Sequence, residues 1–333
     1  ELGVPMWIGQ SVRQIWNYAA SQGGWDKDGT SLITFLEPWA GVVVKGNGQK
    51  ENTPVAQAGD EMKPLVVVCD EDMSVAITQR LREQRWDCSV IGVPLEGGRD
   101  AVLASVTDSG VTGAIIVNLY VLATSESAVL AAAFAARGDI YLDAALTGTA
   151  RDVAQGLRAV LGAGPSPAFE QARPLLATLG ARVVHVSENV GAAHLMGLID
   201  GALFDTLLAA TCESYVTGAK AGLAPLTMTK IMGVETGRNA ASERIIPTEV
   251  ATRRFDHGKR IGQARRELSL LSNEAGKLGL TPWILDKARL LYTLAAQLGS
   301  PDDDITRVVT HYEAWAGTIV ETPAAQSEVR SHI

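Results

Sequence analysis

The sequence is poor in cysteine and has no excess of basic charge, and both shortages exclude classes of protein. It has 3 cysteines in 333 residues. They lie far apart, at Cys69, Cys88 and Cys212, with no Cys-X-X-Cys pair, which argues against a zinc site and against a disulfide framework. Basic residues number 29 against 37 acidic ones, a formal net charge of -8, so no surface for nucleic acid or anionic lipid is expected. We therefore expect no metal, nucleic acid or membrane partner.

Long apolar runs and a leader are also missing from the sequence. No uninterrupted apolar stretch reaches the ~18 residues of a membrane-spanning helix. The opening residues, ELGVPMWIGQ, contain neither the basic region nor the apolar region of a secretory signal. Since few cysteines also suit a reducing compartment, we expect a cytoplasmic protein. Disorder is excluded because 47% of the residues are hydrophobic.

Short apolar runs alternate with helical stretches over the first part of the chain, which is the pattern of β-α-β units around a parallel sheet. Runs rich in Val, Ile and Leu predict strands over residues 31–36, 64–69, 113–121, 139–146 and 181–186. Apolar residues at helical spacing predict helices over residues 11–22, 73–84 and 125–136. Residues 1–188 are therefore predicted to form an α/β domain.

Strand-like runs end after residue 188, and long helical patterns follow. Residues 191–223 contain no proline, which allows one helix of about 45–50 Å at 1.5 Å per residue. Because this helix is nearly all Ala, Leu and Ile and is longer than a small domain, we expect it to pack against a second subunit in a homodimer. Further helices are predicted over residues 226–233, 261–278, 281–298 and 302–313. Residues 189–317 are thus a predicted helical dimerisation and substrate domain, with a tail over 318–333.

Several strings resemble the β-hydroxyacid dehydrogenase superfamily. They are DAALTGTARDVAQGLRAVLGAG (143–164), AFEQARPLLATLGARVVHV (168–186), ESYVTGAKAGL (213–223) and LGLTPWILDKARLLYTLAAQLGSPDDD (278–304). Three more strings are closer to the imine reductases within it: PLVVVCDEDMSVA (64–76), VNL (117–119) and YLDAAL (141–146). The resemblance implies a Rossmann-like nucleotide-binding domain, a long interdomain helix and an all-α C-terminal domain like that of 6-phosphogluconate dehydrogenase, exchanged between two subunits. It also implies hydride transfer between NADPH or NADH and a small-molecule substrate.

The resemblance places the phosphate-binding loop of the cofactor at Trp7–Val12, where the family has Gly-X-Gly-X-X-Gly. Only Gly9 is retained. The backbone at Gly9 and Gln10 and the hydroxyl of Ser11 are therefore the groups expected to receive the pyrophosphate. The alternative is that Gly9 and Gln10 form an ordinary turn and that Ser11 caps a helix.

The remaining cofactor positions implied by the resemblance are Glu37, Cys69, Asn118 and Arg266. Glu37 stands at the end of the predicted second strand, where an acidic residue would bind the ribose hydroxyls of NAD. Cys69 and Asn118 end two later strands, and Arg266 replaces a family lysine near the cofactor. A solvated helix face explains that arginine equally well. Because the cofactor positions depart from the family pattern together, the absence of any cofactor is the alternative.

The catalytic position of the family falls on Gly197, which can neither donate nor accept a proton. His194, Gly197 and Asp200 are spaced three residues apart, so a helix places them in one row. We therefore predict that His194 and Asp200 exchange the proton and that Gly197 leaves room for substrate. The alternative is structural: His194 bonded to the backbone, Gly197 allowing close packing and Asp200 capping or pairing with a base.

Three further residues are predicted to contact substrate. Thr147 and Gly148 lie in a Thr-Gly-Thr turn that replaces the family's Ser-Gly-Gly, and a threonine hydroxyl can still donate to a substrate. Tyr215, later on the long helix, is the third, with a core position as the alternative.

Two functions follow. The first is an NAD(P)H-dependent reductase of the C=N bond of a small cyclic or secondary imine. The second is a non-redox catalyst or a binding protein on the same dimeric scaffold, without nicotinamide chemistry.

Overall fold

The computed structural model describes residues 2–25, 27–44 and 63–322, which belong to two compact units. The sheet unit lies within Gln49–Gly201, and the helical unit combines Glu1–Gly48 with Ala202–Ile333. The predicted fold class is confirmed: a Rossmann-like sheet is followed by a long helix and a helical domain. The N-terminal residues, however, belong with the helices rather than with the predicted α/β domain over 1–188.

The sheet has six strands in the order β2-β1-β3-β4-β5-β6. The strands are β1 Leu65–Asp70, β2 Ser89–Val93, β3 Ile115–Asn118, β4 Ile140–Leu146, β5 Ala159–Ala163 and β6 Arg182–Ser187. Neighbouring strands are parallel except β4 and β5, which are antiparallel. Strand β2 lies on one side of β1 and β3 lies on the other. The direction in which the sheet is built therefore reverses at β1, and the carboxyl end of β1 is the topological switch point.

Helices cover both faces of the sheet. They are α3 Glu71–Glu83, α4 Gly98–Asp108, α5 Thr124–Ala135, α6 Ala150–Ala154 and α7 Ser166–Leu179. Because side chains alternate along a strand, Val66 and Val68 of β1 enter one apolar cluster with α4 and α5, whereas Val67 and Cys69 enter a second cluster with α3 and α7. Burial on both faces is what the continuous apolar runs predict.

Four of the five predicted strands are confirmed, and the one predicted over residues 31–36 is wrong. The runs at 64–69, 113–121, 139–146 and 181–186 overlap β1, β3, β4 and β6, respectively, to within one residue at the carboxyl ends of β1 and β6. Strands β2 and β5 have no counterpart in the prediction, because Ser89–Val93 and Ala159–Ala163 are short and include glycine. Residues 31–36 belong to a helical segment, as described below.

Helix α8, Ala192–Lys220, confirms the predicted long helix, and its residues from Ala202 onward belong to the helical unit. The elements after it are α9 Pro225–Met232, a π-helical segment Ala241–Val250, α10 Ile261–Lys277, α11 Trp283–Leu298, a 3₁₀ turn Ile305–Arg307 and α12 Val308–Ala316. Helix α10 packs along α11. By length and composition α8 could cross a membrane, but core helices of soluble proteins pass the same test, and side chains such as Leu208 and Val216 are fully buried.

The first residues of the chain form a helical hairpin instead of a strand, a glycine loop and a helix. Helix α1, Trp7–Ala19, is followed by a π-helical turn Ala20–Gly24, a 3₁₀ turn Gly29–Ser31 and α2, Leu32–Ala40. Helix α1 packs against α11. The carboxylate of Asp28 caps the start of this helical segment and left-handed Gly41 ends it, so the run SLITFL is helical. A six-residue apolar run fits a strand or a helix equally well, and only the caps distinguish them.

Candidate functional site

A buried carboxylate joins β4 to the first turn of α8. Asp143 accepts the backbone N–H of Gly191 at 2.6 Å through Oδ1, and those of Ala193 and His194 at 2.9 and 3.0 Å through Oδ2. The first N–H groups of a helix have no partner within the helix, and a carboxylate there also meets the positive end of the helix dipole. Asp143 therefore fixes where α8 starts.

The imidazole of His194 is completely buried in the same region, and both ring nitrogens are engaged. Nε2 lies 3.0 Å from the carbonyl oxygen of Asn118. A carbonyl only accepts, so Nε2 carries the proton and donates it. Nδ1 accepts the N–H of Leu122 at 3.3 Å and lies 3.1 Å from the hydroxyl of Ser127. This is a neutral ring that ties α8 to the turn after β3.

The geometry therefore corrects the predicted proton relay. His194 is sealed from substrate, while Asp200, six residues later on α8, is exposed. A β-carbon at Gly197 would come within 2.6 Å of the β-carbon of Ala145, so this glycine permits close contact between α8 and β4. The arrangement matches the structural alternative for His194 and Gly197.

Asn118 ends β3 and Cys69 is the residue before the end of β1, and both side chains are buried. The Asn118 amide donates to the Tyr120 carbonyl at 3.2 Å and to the Tyr141 hydroxyl at 2.9 Å, and its oxygen accepts the Tyr120 N–H at 3.0 Å. Burial, with Asp70 nearby, raises the pKa of the Cys69 thiol to about 12. Both side chains are buried and have partners within the sheet unit.

The turn from β1 to α3 occupies the switch point, where doubly wound sheets bind a dinucleotide. Asp70 ends the strand and accepts the N–H of Met73 at 3.0 Å, and Glu71 and Asp72 follow in the first turn of α3. The turn has no glycine to let a pyrophosphate approach the backbone, and its carboxylates replace the phosphate at the helix N-terminus. A dinucleotide pyrophosphate does not fit this turn.

Tyr120 lies at the same switch point. It follows β3, yet its hydroxyl donates to the carbonyl of Leu95 at 2.6 Å and accepts the N–H of Gly98 at 2.9 Å, both beyond β2. Because β1 lies between β2 and β3, the phenol bridges the two loops that flank the end of β1. Tyr120 is 1% exposed, so its ring is buried between these two loops.

The Thr-Gly-Thr turn after β4 is held by local bonds. The Thr147 hydroxyl donates to the carbonyl of Ala159 at 3.3 Å, and Asp152 accepts the N–H and the hydroxyl of Thr149 at 3.0 and 3.1 Å. Partial burial opposes ionisation, but the Thr149 bonds and Arg158 hold the pKa of Asp152 below its ordinary value. Gly148 has φ +105°, which favours glycine. The turn is thus preformed, and the oxygen of the Thr147 hydroxyl also accepts the N–H of Ala159 at 3.1 Å.

The N-terminal positions predicted to bind pyrophosphate lie in the helical unit. The N–H groups of Ile8 and Gly9 donate to the carboxylate of Glu213 at 3.2 and 3.0 Å, and the Ser11 hydroxyl donates to the carbonyl of Trp7 within α1. Burial raises the pKa of Glu213, while these N–H groups oppose the shift. The predicted loop around Gly9, Gln10 and Ser11 is therefore a helix start, and its anion is a side chain of the chain itself.

Two of the other predicted positions in the helical unit, Glu37 and Tyr215, are also structural. Glu37 lies on α2 and its Oε1 accepts the N–H of Val44 at 2.7 Å, so it closes the end of the hairpin instead of binding ribose. The Tyr215 ring is buried, with its hydroxyl 2.9 Å from that of Thr229, which matches the core alternative. Arg266 is half-buried on α10.

A buried ion network in the helical unit has no counterpart in the sequence prediction. The Lys259 ammonium lies 2.9 Å from both oxygens of Asp205 and 2.8 Å from Glu267. Burial raises the pKa of Asp205 to about 6, although Lys259 opposes this shift. No cluster of metal-ligating side chains occurs in the ranges 2–25, 27–44 and 63–322.

Two family models match the chain. One, the NAD binding domain of 6-phosphogluconate dehydrogenase, matches residues 77–187. The other, described as NAD-binding of NADP-dependent 3-hydroxyisobutyrate dehydrogenase, matches residues 191–312. The first match begins inside α3, and therefore does not include the β1–α3 turn.

Relatives and solved structures agree with these matches. 2-(Hydroxymethyl)glutarate dehydrogenase of Eubacterium barkeri is 26% identical over 209 residues, covering 62% of this chain and 69% of the relative. The structure of 3-hydroxyisobutyrate dehydrogenase from Mycobacterium tuberculosis superposes with a TM-score of 0.64 at 16% identity, covering 75% of this chain and 99% of the other. An imine reductase of Streptomyces aurantiacus reaches a TM-score of 0.41 at 14% identity, covering 75% and 99%. The predicted closeness to imine reductases is not confirmed by so distant a match.

Proposed function

Because the chain belongs to the β-hydroxyacid dehydrogenase superfamily, a family of NAD(P)-dependent dehydrogenases and reductases, we propose that it is an oxidoreductase of a small polar molecule. The observation that carries this proposal is that the family match extends through both the sheet unit and the helical unit. The match to two NAD-binding domains supports NADPH or NADH as the cofactor.

The finer proposal is reduction of a C=N bond in a cyclic or secondary imine. It rests on Gly197, which stands where the family has a proton-donating side chain. An imine can take its proton from water before it binds, whereas a ketone needs an acid at the site. The relatives are hydroxyacid dehydrogenases. Activity on an imine should therefore be compared with activity on a small 3-hydroxy acid and its oxo form.

The described residues support positioning steps only. A bound cofactor would supply a hydride, but the β1–α3 turn is not a pyrophosphate cradle, so no step is assigned through it. Asp143 and His194 fix the first turn of α8 against the ends of β3 and β4. This holds Gly197 against Ala145. The Thr147 hydroxyl is bonded to the N–H and the carbonyl of Ala159, so it would have to exchange one of these bonds to reach a substrate.

A second candidate function is favoured by one specific observation. Asp70, Glu71 and Asp72 occupy the switch point, and Tyr120 bridges it. Because these residues occupy the place where a dinucleotide would bind, the protein could act as a non-redox catalyst or a binding protein on the family scaffold.

Titration calorimetry with NADPH and with NADH distinguishes the two candidates. Micromolar binding is expected if the protein is a reductase. The variant Glu71→Gln/Asp72→Asn is the matched comparison: tighter binding by the variant would place the pyrophosphate at the β1–α3 turn. Equal affinities would place it elsewhere. Absence of heat from both proteins up to about millimolar dinucleotide, with unshifted melting temperatures, would overturn the reductase proposal.

A further inference from the structure

The first helical hairpin repeats the last one in sequence. Residues 7–44 align with residues 283–320 without a gap, at a constant separation of 276 positions, and fifteen of the 38 pairs are identical. The identical pairs are Trp7/Trp283, Ile8/Ile284, Arg13/Arg289, Ala19/Ala295, Ala20/Ala296, Gly23/Gly299, Asp26/Asp302, Asp28/Asp304, Thr30/Thr306, Thr34/Thr310, Glu37/Glu313, Trp39/Trp315, Ala40/Ala316, Gly41/Gly317 and Val44/Val320. Self-similarity at a fixed separation is the sequence signature of a repeated structural unit.

The local structure repeats with the sequence. Both hairpins turn through a 3₁₀ segment before the second helix, and α2 and α12 begin and end at equivalent positions. Asp28 accepts the N–H and the hydroxyl of Thr30 at 2.8 and 2.6 Å. Asp304 accepts the same two groups of Thr306 at 3.0 and 2.5 Å. The same capping residues therefore start the second helix of each hairpin.

The ends of the two hairpins also match. Gly41 and Gly317 have φ values of +66° and +63°. The N–H of Val44 donates to Oε1 of Glu37 at 2.7 Å, and the N–H of Val320 donates to Oε1 of Glu313 at 2.8 Å. Equivalent residues thus make equivalent bonds from the first cap to the last.

The contact between the hairpins is reciprocal. Trp7 packs on Trp315 with ring centroids 5.1 Å apart and an interplanar angle of 32°. Trp39 packs on Trp283 at 5.4 Å and 31°. Trp7 is equivalent to Trp283, and Trp39 is equivalent to Trp315. Exchanging the two hairpins therefore turns the first contact into the second. Such reciprocity is what a two-fold, isologous interface produces between identical subunits.

The two copies differ in what covers their second helix. In the C-terminal copy, α12 buries Val308, Val309 and Tyr312 in the helical unit. In the N-terminal copy, α2 contains no buried residue, and Ile33, the equivalent of Val309, is 44% exposed. The N-terminal hairpin is therefore held by α1, through its pairing with α11 and its bonds to Glu213, and by the contact of Trp39 on α2 with Trp283 described above.

We propose that residues 7–44 are a second copy of the hairpin 283–320, and that this copy covers the face of α11–α12 through which two helical units would otherwise pair. The reciprocal tryptophan contacts are then a subunit-type interface built into one chain, whose partner is the chain's own N-terminal hairpin. A homodimer of this protein, as expected from the long helix, has to form through another surface.

Cross-linking in the full-length chain tests the proposal. Two double variants, Trp7→Cys/Trp315→Cys and Trp39→Cys/Trp283→Cys, are made in a Cys88→Ser background, since Cys69 and Cys212 are buried. A flexible bismaleimide is added to an equal mixture of ¹⁴N and ¹⁵N chains. Both variants are expected to give cross-linked peptides of a single isotope, and the four single-cysteine controls are expected to give no cross-linked dimer through these sites.

Double-mutant cycles supply a second measurement that tolerates partial destabilisation. Each reciprocal pair is changed from Trp to Leu singly and together, and the urea midpoint is recorded. In each pair, the double variant is expected to lower the urea midpoint by less than the two single variants lower it in sum. The size of this difference should be similar for the two pairs. The control Trp7→Leu/Trp25→Leu should be additive, because Trp25 is 84% exposed. Mixed-isotope cross-links, or coupling in one pair without its equivalent, would overturn the proposal.

Discussion

At the scale of single residues, the polar groups of the sheet unit are used to hold elements in place. His194 has its two nitrogens bonded across α8 and the turn after β3, and Asp143 accepts three backbone N–H groups. Buried polar groups must be paired in this way because leaving one unpaired costs about 1–3 kcal/mol. A residue type that is common in catalytic sites can therefore have all its polar atoms engaged in structural hydrogen bonds.

Replacing His194 tests this assignment. His194→Ala leaves a cavity and unpaired N–H and C=O groups, so the free energy of unfolding should fall by about 3 kcal/mol. Asp200→Asn is the matched control on the same helix, and because Asp200 is exposed it should change stability by less than about 0.5 kcal/mol. Urea denaturation measures both. Unchanged stability of His194→Ala together with lost turnover would instead support the predicted catalytic role.

The three thiols should differ in reactivity. Burial, aided by Asp70, raises the pKa of Cys69 to about 12, and burial also raises that of Cys212. Cys88 is only half-buried. Since the thiolate is the nucleophile, iodoacetamide at pH 8 should alkylate Cys88 first, and Cys69 and Cys212 only after denaturation. Mass spectrometry of tryptic peptides reads out the order, and early labelling of Cys69 would contradict its burial.

At the scale of elements, the close approach of α8 to the sheet depends on a residue without a side chain. A β-carbon at Gly197 would lie 2.6 Å from the β-carbon of Ala145, so α8 or β4 would have to move. The glycine at the family's catalytic position is thus explained by packing.

Gly197→Ala should therefore lower the free energy of unfolding by about 1–3 kcal/mol through overpacking. Gly276→Ala on α10 is the matched control, because nothing lies within 4 Å of its added β-carbon. The control should raise stability by about 0.5–1 kcal/mol through helix propensity. Chemical denaturation of both variants gives the comparison, and a stabilised Gly197→Ala would show that α8 is not in tight contact with the sheet.

At the scale of the whole molecule, the helical unit is joined by a buried ion network. Lys259 precedes α10 and bonds Asp205 on α8 and Glu267 on α10. Asp205 is fully buried, so its charge depends on Lys259 for compensation.

Removing one charge of this network should be costly. Asp205→Asn is expected to lower the free energy of unfolding by about 3–5 kcal/mol, because a buried ammonium loses a partner. Glu243→Gln, in the exposed pair with Arg238, should cost only about 0–1 kcal/mol. Thermal and urea unfolding of both variants test the difference, and equal losses would mean that the buried network adds nothing beyond a surface pair.

The two-fold relation between the hairpins is also a whole-molecule property, and the sequence carried its signal. The matches between residues 7–44 and 283–320 lie at one constant separation, which is the sequence signature of a repeated unit. A glycine-loop pattern predicts the wrong element for residues 7–12, because a single retained glycine occurs as readily in a helix.

Strong local patterns in the sequence predict the strands β1, β3, β4 and β6, the long helix α8 and the superfamily. Their signals are continuous apolar runs, a proline-free span and family-like strings, all of which are local in the chain. The roles of the polar residues emerge only in the folded chain, because their hydrogen-bond partners come from distant segments: Asn118 for His194, Glu213 for Gly9 and Leu95 for Tyr120. Whether a side chain is free for chemistry depends on those partners, and local sequence does not encode them.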